Sequence, residues 1–337
     1  MKKYLLPGLI AILFLCSNDS YAKIRRVGYP GTAVVKTDYS TLQSAHDSAS
    51  VGDTIFLYPG NWSATFAKRL ILIGYGYFVS GTGSNANLQY INGAQSTTLY
   101  LDSTASNSVI EGVDGINIFA NYQHPVNGIT LRGINGNIYF NNKTCSNWQV
   151  LQCFLNSIYF EWAGGMINNI TVNNSYIYII NMTYSGVTGS TGQFNNDVIQ
   201  SAYYNSAKFL VKNCIVIYGR YNETNVVYQN TIADSDYGAI TTLNGNKNIN
   251  TTTMQGSVFT GFITQGISSN DGRYMLKTGS PAKGAGTGGT DCGMFGGANP
   301  YHLSGIPPIP SIYKMSATTT TTSTNPYTIT ISVRSNN

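Results

Sequence analysis

The chain has 337 residues, a formal net charge of +5 and only 10% charged residues. An ordinary globular surface carries about 25% charged residues, so solubility here rests on Asn, Ser, Thr, Gly and the 25 tyrosines. The weak, scattered positive charge gives no footing for a nucleic-acid partner. It suits neutral hydrogen-bonding partners, to which each tyrosine offers an aromatic face and a hydroxyl.

The chain opens with an address. Lys2 and Lys3 precede an apolar stretch over residues 4–16 broken only at Pro7-Gly8, and Ser20-Tyr21-Ala22 places small residues where a signal peptidase reads. Residues 1–22 are expected to be a signal peptide, and the mature chain to be secreted to the periplasm, cell surface or medium. Lipidation at Cys16 is disfavoured by Leu15, where a lipoprotein signal needs a smaller residue. The apolar run is too short to span a membrane, and no later one matches it. Cys145, Cys153, Cys214 and Cys292 lack zinc-site spacing, and two of them fall inside the repeat below, so buried free thiols are expected.

Residues 39–49 predict a short helix: Ser40-x-x-Gln43 has capping-box spacing, and Leu42, Ala45 and Ala49 share a face. Gly52-Asp53 then turns into short strands at residues 54–57 and 69–73. Beyond them lies a repeat. The segments beginning at Val109, Thr130, Val150, Thr171, Leu210, Val227 and Thr253 follow one another at steps of 21, 20, 21, 39, 17 and 26 residues, the long step being two turns with a degenerate coil between. Their second residues (Ile110, Leu131, Leu151, Val172, Val211, Tyr228, Met254) are apolar. Their third residues (Glu111, Arg132, Gln152, Asn173, Lys212, Gln229, Gln255) are polar, and their fourth are Gly, Gly, Cys, Asn, Asn, Asn and Gly. A period near 20 without a fixed Leu framework sets leucine-rich repeats aside. Gly and Asn tolerate the positive φ of a tight corner. Coils of short strands joined by such corners stack as parallel strands about 4.8 Å apart, with apolar side chains filling the tube. The predicted fold is all-β: a single-stranded parallel β-helix over residues 23–300, with a short N-terminal capping helix. Residues 301–337 are expected to be a Pro/Thr-rich linker and a C-terminal β extension. Asn174, Asn213 and Asn230 are expected to ladder along the axis.

The opening Tyr39-Ser40-Thr41-Leu42-Gln43, then Gly52-Asp53-Thr54-Ile55 and Pro59-Gly60, resembles the pectate-lyase-like superfamily of right-handed parallel β-helix proteins. Gly279-Ser280-Pro281-Ala282 with Asp291-Cys292-Gly293-Met294-Phe295-Gly296-Gly297 resembles the final coil of its secreted bacterial members. The resemblance implies a right-handed helix over roughly residues 35–300, by the repeat. It does not choose among polysaccharide lyases, glycoside hydrolases, epimerases and adhesins, all of which share the fold.

The Asn-Thr-Asp, Asp-Asp, Gly-His-Gly and Arg-Ile-Lys set of polygalacturonases is missing, which speaks against a pectin hydrolase. Asn195-Asn196-Asp197-Val198-Ile199-Gln200 resembles an Asp-x-Ile-Gln segment of some superfamily members, with Asn where His often stands. Asp197, with Arg132 or Lys212 as basic neighbour, is the candidate catalytic set; the competing reading is that Asp197 caps a turn. Glu111, Gln152, Asn173, Gln229 and Gln255 form a candidate substrate-binding strip with them. Glu161 and Arg220 are further candidates without partners. Tyr159, Phe160, Trp162, Tyr176 and Tyr178 offer rings for sugar stacking, about half of which must face inward. No cofactor is implied: Asp234 and Asp236 hint at Ca2+, but no third carboxylate follows at the required spacing. His46, His124 and His302 complete no catalytic set. The reading is a secreted, carbohydrate-associated binding or surface scaffold with a polysaccharide partner. A polysaccharide lyase or hydrolase, and a structural envelope or adhesive component, are the alternatives.

Overall fold

Most coils supply two short strands, and these pair with their counterparts one coil away rather than with each other; two coils add a third, Thr144–Ser146 paired with Met166–Asn168. A computed structural model describes residues 22–28, 38–79, 96–120, 124–141, 143–160, 165–183, 189–205, 207–221, 223–262, 269–308, 310–317 and 328–334. Residues 1–21 of the expected signal peptide lie outside them. Among them, the first sheet has ten strands, from Ile24–Val27 to Val227–Gln229, and the second has eleven, from Asn61–Phe66 to Lys247–Ile249. Pairing is parallel from coil to coil in both, as between Val109–Glu111 and Thr130–Arg132 or between Ile116–Ala120 and Asn135–Phe140. The architecture is a parallel β-solenoid. Ile110, Leu131, Val150 and Val172 from the first sheet meet Ile118, Ile138, Ile158 and Ile180 from the second inside the tube, all fully or almost fully buried. Each contributes about 1.5–3 kcal/mol by leaving water.

Helix α1 (Leu42–Ser48) buries Leu42, Ala45 and His46. Its cap is Thr41, whose hydroxyl accepts from Ser44 N, rather than the expected Ser40. Gln43 is drawn away from the cap because its Oε1 accepts from Thr65 N in the strand Asn61–Phe66.

The register corrects the sequence reading at three points. Val150, not Leu151, aligns with Leu131 and Val172, so Leu151 joins the outward column and Gln152 takes the corner. The 39-residue step hides a regular coil: Thr191–Asn195 pairs with both neighbours, and Phe194 fills the inward position. The segment from Thr253 is no strand, because Asn250 N-caps a helical turn that runs through Met254–Val258 and leaves Gln255 exposed.

Seven successive corners then share a left-handed backbone: Gly112, Gly133, Gln152, Asn174, Asn196, Asn213 and Asn230, with φ between +48° and +64°. The next residue of each points into the tube, giving a fully buried column of Val113, Ile134, Cys153, Ser175, Asp197, Cys214 and Thr231. From Cys153 onward this column forms its own ladder. Cys153 N donates to Ser175 Oγ (3.0 Å), Ser175 N to Asp197 Oδ1 (2.7 Å), Asp197 N to Cys214 Sγ (3.3 Å) and Cys214 N to Thr231 Oγ1 (3.4 Å). Side chains thus satisfy the amides of a corner buried away from water.

Residues 279–297 are not a final coil. From residue 286 to residue 308 the chain runs back down the outside of the tube along the corner column. Thr287 Oγ1 donates to Asn213 and Asn230, Asn196 Nδ2 to Asp291 O, Asn174 Nδ2 to Met294 O and Gly296 O, and Gln152 Nε2 to Pro300 O. Gly305 then lies against Gly133, and Pro307 against Gly112. This strap diverts the expected axial Asn ladder. Among the described corner residues, only Asn213 Nδ2 to Asn196 Oδ1 (3.4 Å) runs along the axis, because strap carbonyls take the Asn174 and Asn196 amides and Thr287 occupies Asn230 Oδ1. Beneath the strap lies a second core outside the tube, where Phe154, Tyr176, Val198, Ile215 and Ile232 meet Met254, Phe259, Tyr274, Ala282, Met294 and Tyr301. Farther on, Ser311–Ala317 and Ile329–Arg334 form an antiparallel pair.

All four described cysteines are free and buried. Burial pushes the Cys153 and Cys292 thiols up to about 12, and Cys214 well above its usual range. A thiol-specific reagent at neutral pH is expected to leave all four unmodified in the folded protein and to label all four after denaturation. Labelling of Cys214 without denaturant would contradict its place in the ladder.

Candidate functional site

Outward residues of the first sheet and the lower end of the strap enclose a groove of about 420 Å³. Its floor is Glu111, Arg132, Leu151, Gln152, Asn173 and Asn174; its wall includes Asn299, His302, Ile306, Pro307 and Pro308. The floor follows from strand alternation: with Leu131 and Val172 inward, Arg132 and Asn173 must face out. Arg132 Nη1 lies 3.6 Å from Glu111 Oε1, with the Glu111 side chain 11% exposed and the Arg132 side chain 42%. Burial raises the Glu111 carboxyl above the usual range, and Arg132 partly offsets this. Asn195 Nδ2 donates to Asn173 Oδ1 at 3.0 Å, which fixes the orientation of the Asn173 amide. The groove thus combines fixed amides and one ion pair with apolar ground at Leu151, Ile306 and Pro307. Such a mixture fits a ring with hydroxyls on its edge and carbon on its face.

Of the sequence-predicted residues, Glu111, Arg132, Gln152 and Asn173 come together here. Lys212 and Gln229 share the outward column, reached through Asn195, but lie coils beyond the groove. Asp197 is not brought to Arg132 or Lys212: it is fully buried in the inward column, held by Ser175 N. Burial drives its carboxyl well above the usual range, against the pull of the Ser175 amide. Gln255 sits on the helical turn, outside the strip. Arg220 is buried, its Nη2 donating to Gly238 O and its Nε 3.4 Å from Glu223 Oε2. Asp234 caps a short turn by accepting from Asp236 N. Glu161 and Trp162 lie outside the described residues.

The aromatic expectation divides by cover as well as by alternation. Phe160 is buried inside the tube, while Tyr176 faces outward with the exposed Tyr178 and is buried by the second core, and Tyr159 ends an outward stack on the second sheet. Tyr100, Phe119, Tyr139 and Tyr159 stack at centroid distances of 5.1, 4.5 and 5.3 Å. Phe119 and Tyr139 spend both faces in the stack, and Tyr100 and Tyr159 one each, so the stack offers mainly edges and hydroxyls to the outside. The first three were missed in the sequence, although their steps of 19, 20 and 20 residues repeat the coil period. The strap wall was missed because residues 299–308 match no coil.

Fold and groove together define a parallel β-solenoid with a strap-walled polar groove. Comparison with family models, with curated proteins and with solved structures gives no match to this chain.

Proposed function

We propose that this chain is a secreted, carbohydrate-binding β-solenoid that holds a stretch of polysaccharide in the groove over Glu111, Arg132, Gln152 and Asn173. Membership of the pectate-lyase-like superfamily, a right-handed sense, a plugging role for α1 and secretion through residues 1–22 belong to the same proposal. The observation that carries it is the convergence of amides, an ion pair and apolar ground in one outer groove. The low charge of the chain supports the same partner class. Affinity electrophoresis against neutral and acidic polysaccharides tests it. Arg132→Gln and Asn173→Ala are each expected to weaken retardation about tenfold, or roughly 1.4 kcal/mol, while Lys212→Gln leaves it unchanged. If no polysaccharide retards the wild-type chain, the proposal fails.

A second reading, a polysaccharide lyase or hydrolase, is favoured by one observation. The Glu111 carboxyl, raised by burial, stands beside Arg132 in the groove. A general acid needs such a raised carboxyl. This reading predicts new unsaturated or reducing ends from a bound polysaccharide, lost in Glu111→Gln.

A further inference from the structure

A second cleft, which shares no lining residue with the groove, lies on the outer face of the second sheet, and its origin is an extra residue in the strand. Between Asn135–Phe140 and Phe154–Phe160, Gly136 and Asn137 are consecutive, yet their partners Leu155 and Ser157 are separated by Asn156. The bulge passes to the following coils: Asn156 stands opposite Tyr178, and Tyr178 opposite Gln200, between matched pairs on either side. These three residues make an outward column that earlier coils lack. All three line a cleft of about 280 Å³, completed by Phe78, Phe154, Tyr176, Asn270, Arg273 and Tyr274. Bulges re-aim side chains beside functional sites, and here one inserted residue has supplied a whole column.

The chemistry of this cleft is specific. Phe154, Tyr176 and Tyr274 stack face to face at 4.4 Å and form a rigid back wall. Tyr176 Oη donates to Gln200 Oε1 at 2.6 Å, which fixes the Gln200 amide so that its acceptor is used inside the protein. Gln200 is only 8% exposed, and its Nε2 donors find no acceptor among the described residues. A buried amide with its acceptor used and its donors open is matched by an acceptor on a ligand. Arg273 is the one charged side chain among the described residues lining the cleft, and its Nη2 donates to Asn270 Oδ1 at 2.9 Å. A guanidinium and amide donors together select a flat anion. Phe78 and the 51%-exposed Tyr178 offer apolar surface beside them.

We propose that this cleft binds a six-membered ring bearing a carboxylate, the carboxylate on Arg273 and Gln200 Nε2 and the ring against Tyr178 and Phe78. The volume admits one ring rather than a chain. Two sources share this chemistry, a uronic acid residue and a free aromatic acid. The test titrates the whole chain with glucuronic acid and with 4-hydroxybenzoate, read by ligand-observed NMR and calorimetry, against glucose and 4-hydroxybenzyl alcohol as uncharged counterparts. At least one acid is expected to bind about tenfold or more tightly than its counterpart, and the acid that does so assigns the source. Arg273→Gln is expected to reduce that affinity about tenfold. Gln200→Glu, which keeps the acceptor for Tyr176 but replaces the donor by an acid, is expected to abolish binding. Arg132→Gln, in the other groove, should leave it intact, so this result stands or falls apart from polysaccharide binding. Melting curves establish that each variant folds; Arg273 is partly exposed, and its variant keeps the test decisive if Gln200→Glu does not fold. Equal binding of acid and counterpart, no binding of either acid, or unchanged affinity in Arg273→Gln would overturn the proposal.

Discussion

Asp197→Asn is expected to melt at a higher temperature than the wild-type chain at neutral pH, with the gap closing as the solution is acidified. Asp197 occupies one rung of the buried corner column, where its neighbours do two jobs. Each accepts from the corner amide of the preceding coil, and each donates to the carbonyl two residues earlier. Cys153 Sγ donates to Leu151 O (3.2 Å), Ser175 Oγ to Asn173 O (3.0 Å), Cys214 Sγ to Lys212 O (3.2 Å) and Thr231 Oγ1 to Gln229 O (3.2 Å). Asp197 does the first job through Oδ1, while its buried Oδ2 has no partner as an acceptor. A neutral acid, with its proton on Oδ2, can do both.

Burial raises the folded carboxyl well above the usual range, so the native state holds a proton that the unfolded chain releases above about pH 4. Unfolding then releases a proton, and stability falls as pH rises from the unfolded value toward the folded one; it is fully present only below both. Asn keeps the acceptor for Ser175 N, supplies an N–H donor and has no proton to lose. Asp197→Ala removes the acceptor and leaves the Ser175 amide buried alone, at about 1–3 kcal/mol. Denaturant unfolding of wild type and both variants across acidic to neutral pH checks this. Parallel pH profiles for wild type and Asp197→Asn would sink it.

That rung also shows how far the sequence could be read. The columns were legible because one face of each strand must be apolar, and Ile110, Leu131 and Val172 announce it at a period near 20. Register failed at Val150-Leu151-Gln152, where two adjacent apolar residues fit the inward position equally well. The register that puts Val150 inward also puts Cys153 in the buried column and Gln152 at the corner, where it meets Pro300 O, an acceptor 148 residues away. Asp197 read as chemistry because a lone acid among amides draws attention. Its coil had been passed over as degenerate, so its inward place was hidden. The strap did leave a signal. The residue after the inward column is polar in the early coils (Asp114, Asn135) and apolar in the later ones (Phe154, Tyr176, Val198, Ile215, Ile232). An outward column that turns apolar needs a cover, and the strap with the segments before it is that cover. The groove's floor was therefore readable from alternation, while its wall depended on noticing that half of an outer face could not remain bare.

The same dependence makes Gly305→Val the most damaging small change outside the tube. Gly305 has φ +51° and faces Gly133, itself at φ +52°. A side chain on Gly305 would occupy the space of the Tyr77 ring and the Gly133 carbonyl oxygen. Neither can yield, since Gly133 belongs to a solenoid corner and Tyr77 Oη is bonded to Tyr301 Oη at 2.6 Å. A β-branched residue also resists the left-handed backbone by roughly 1–2 kcal/mol, and overpacking adds about 1–3 kcal/mol. Beside it, Asp271 accepts from Ser304 N (2.6 Å) and Tyr301 Oη (3.0 Å), so lifting residue 305 strips a fully buried carboxylate of two partners. The expected result is release of the lower strap: faster proteolysis within residues 296–308 and weaker polysaccharide retention, with the far-UV spectrum of the solenoid retained. Gly256→Ala, where an added methyl group meets open space, serves as the control and should stay within about 0.5 kcal/mol of wild type. A wild-type digestion pattern for Gly305→Val would mean that the strap is not held by this contact. The groove would then owe its wall to the corner amides of Gln152 and Asn174 alone.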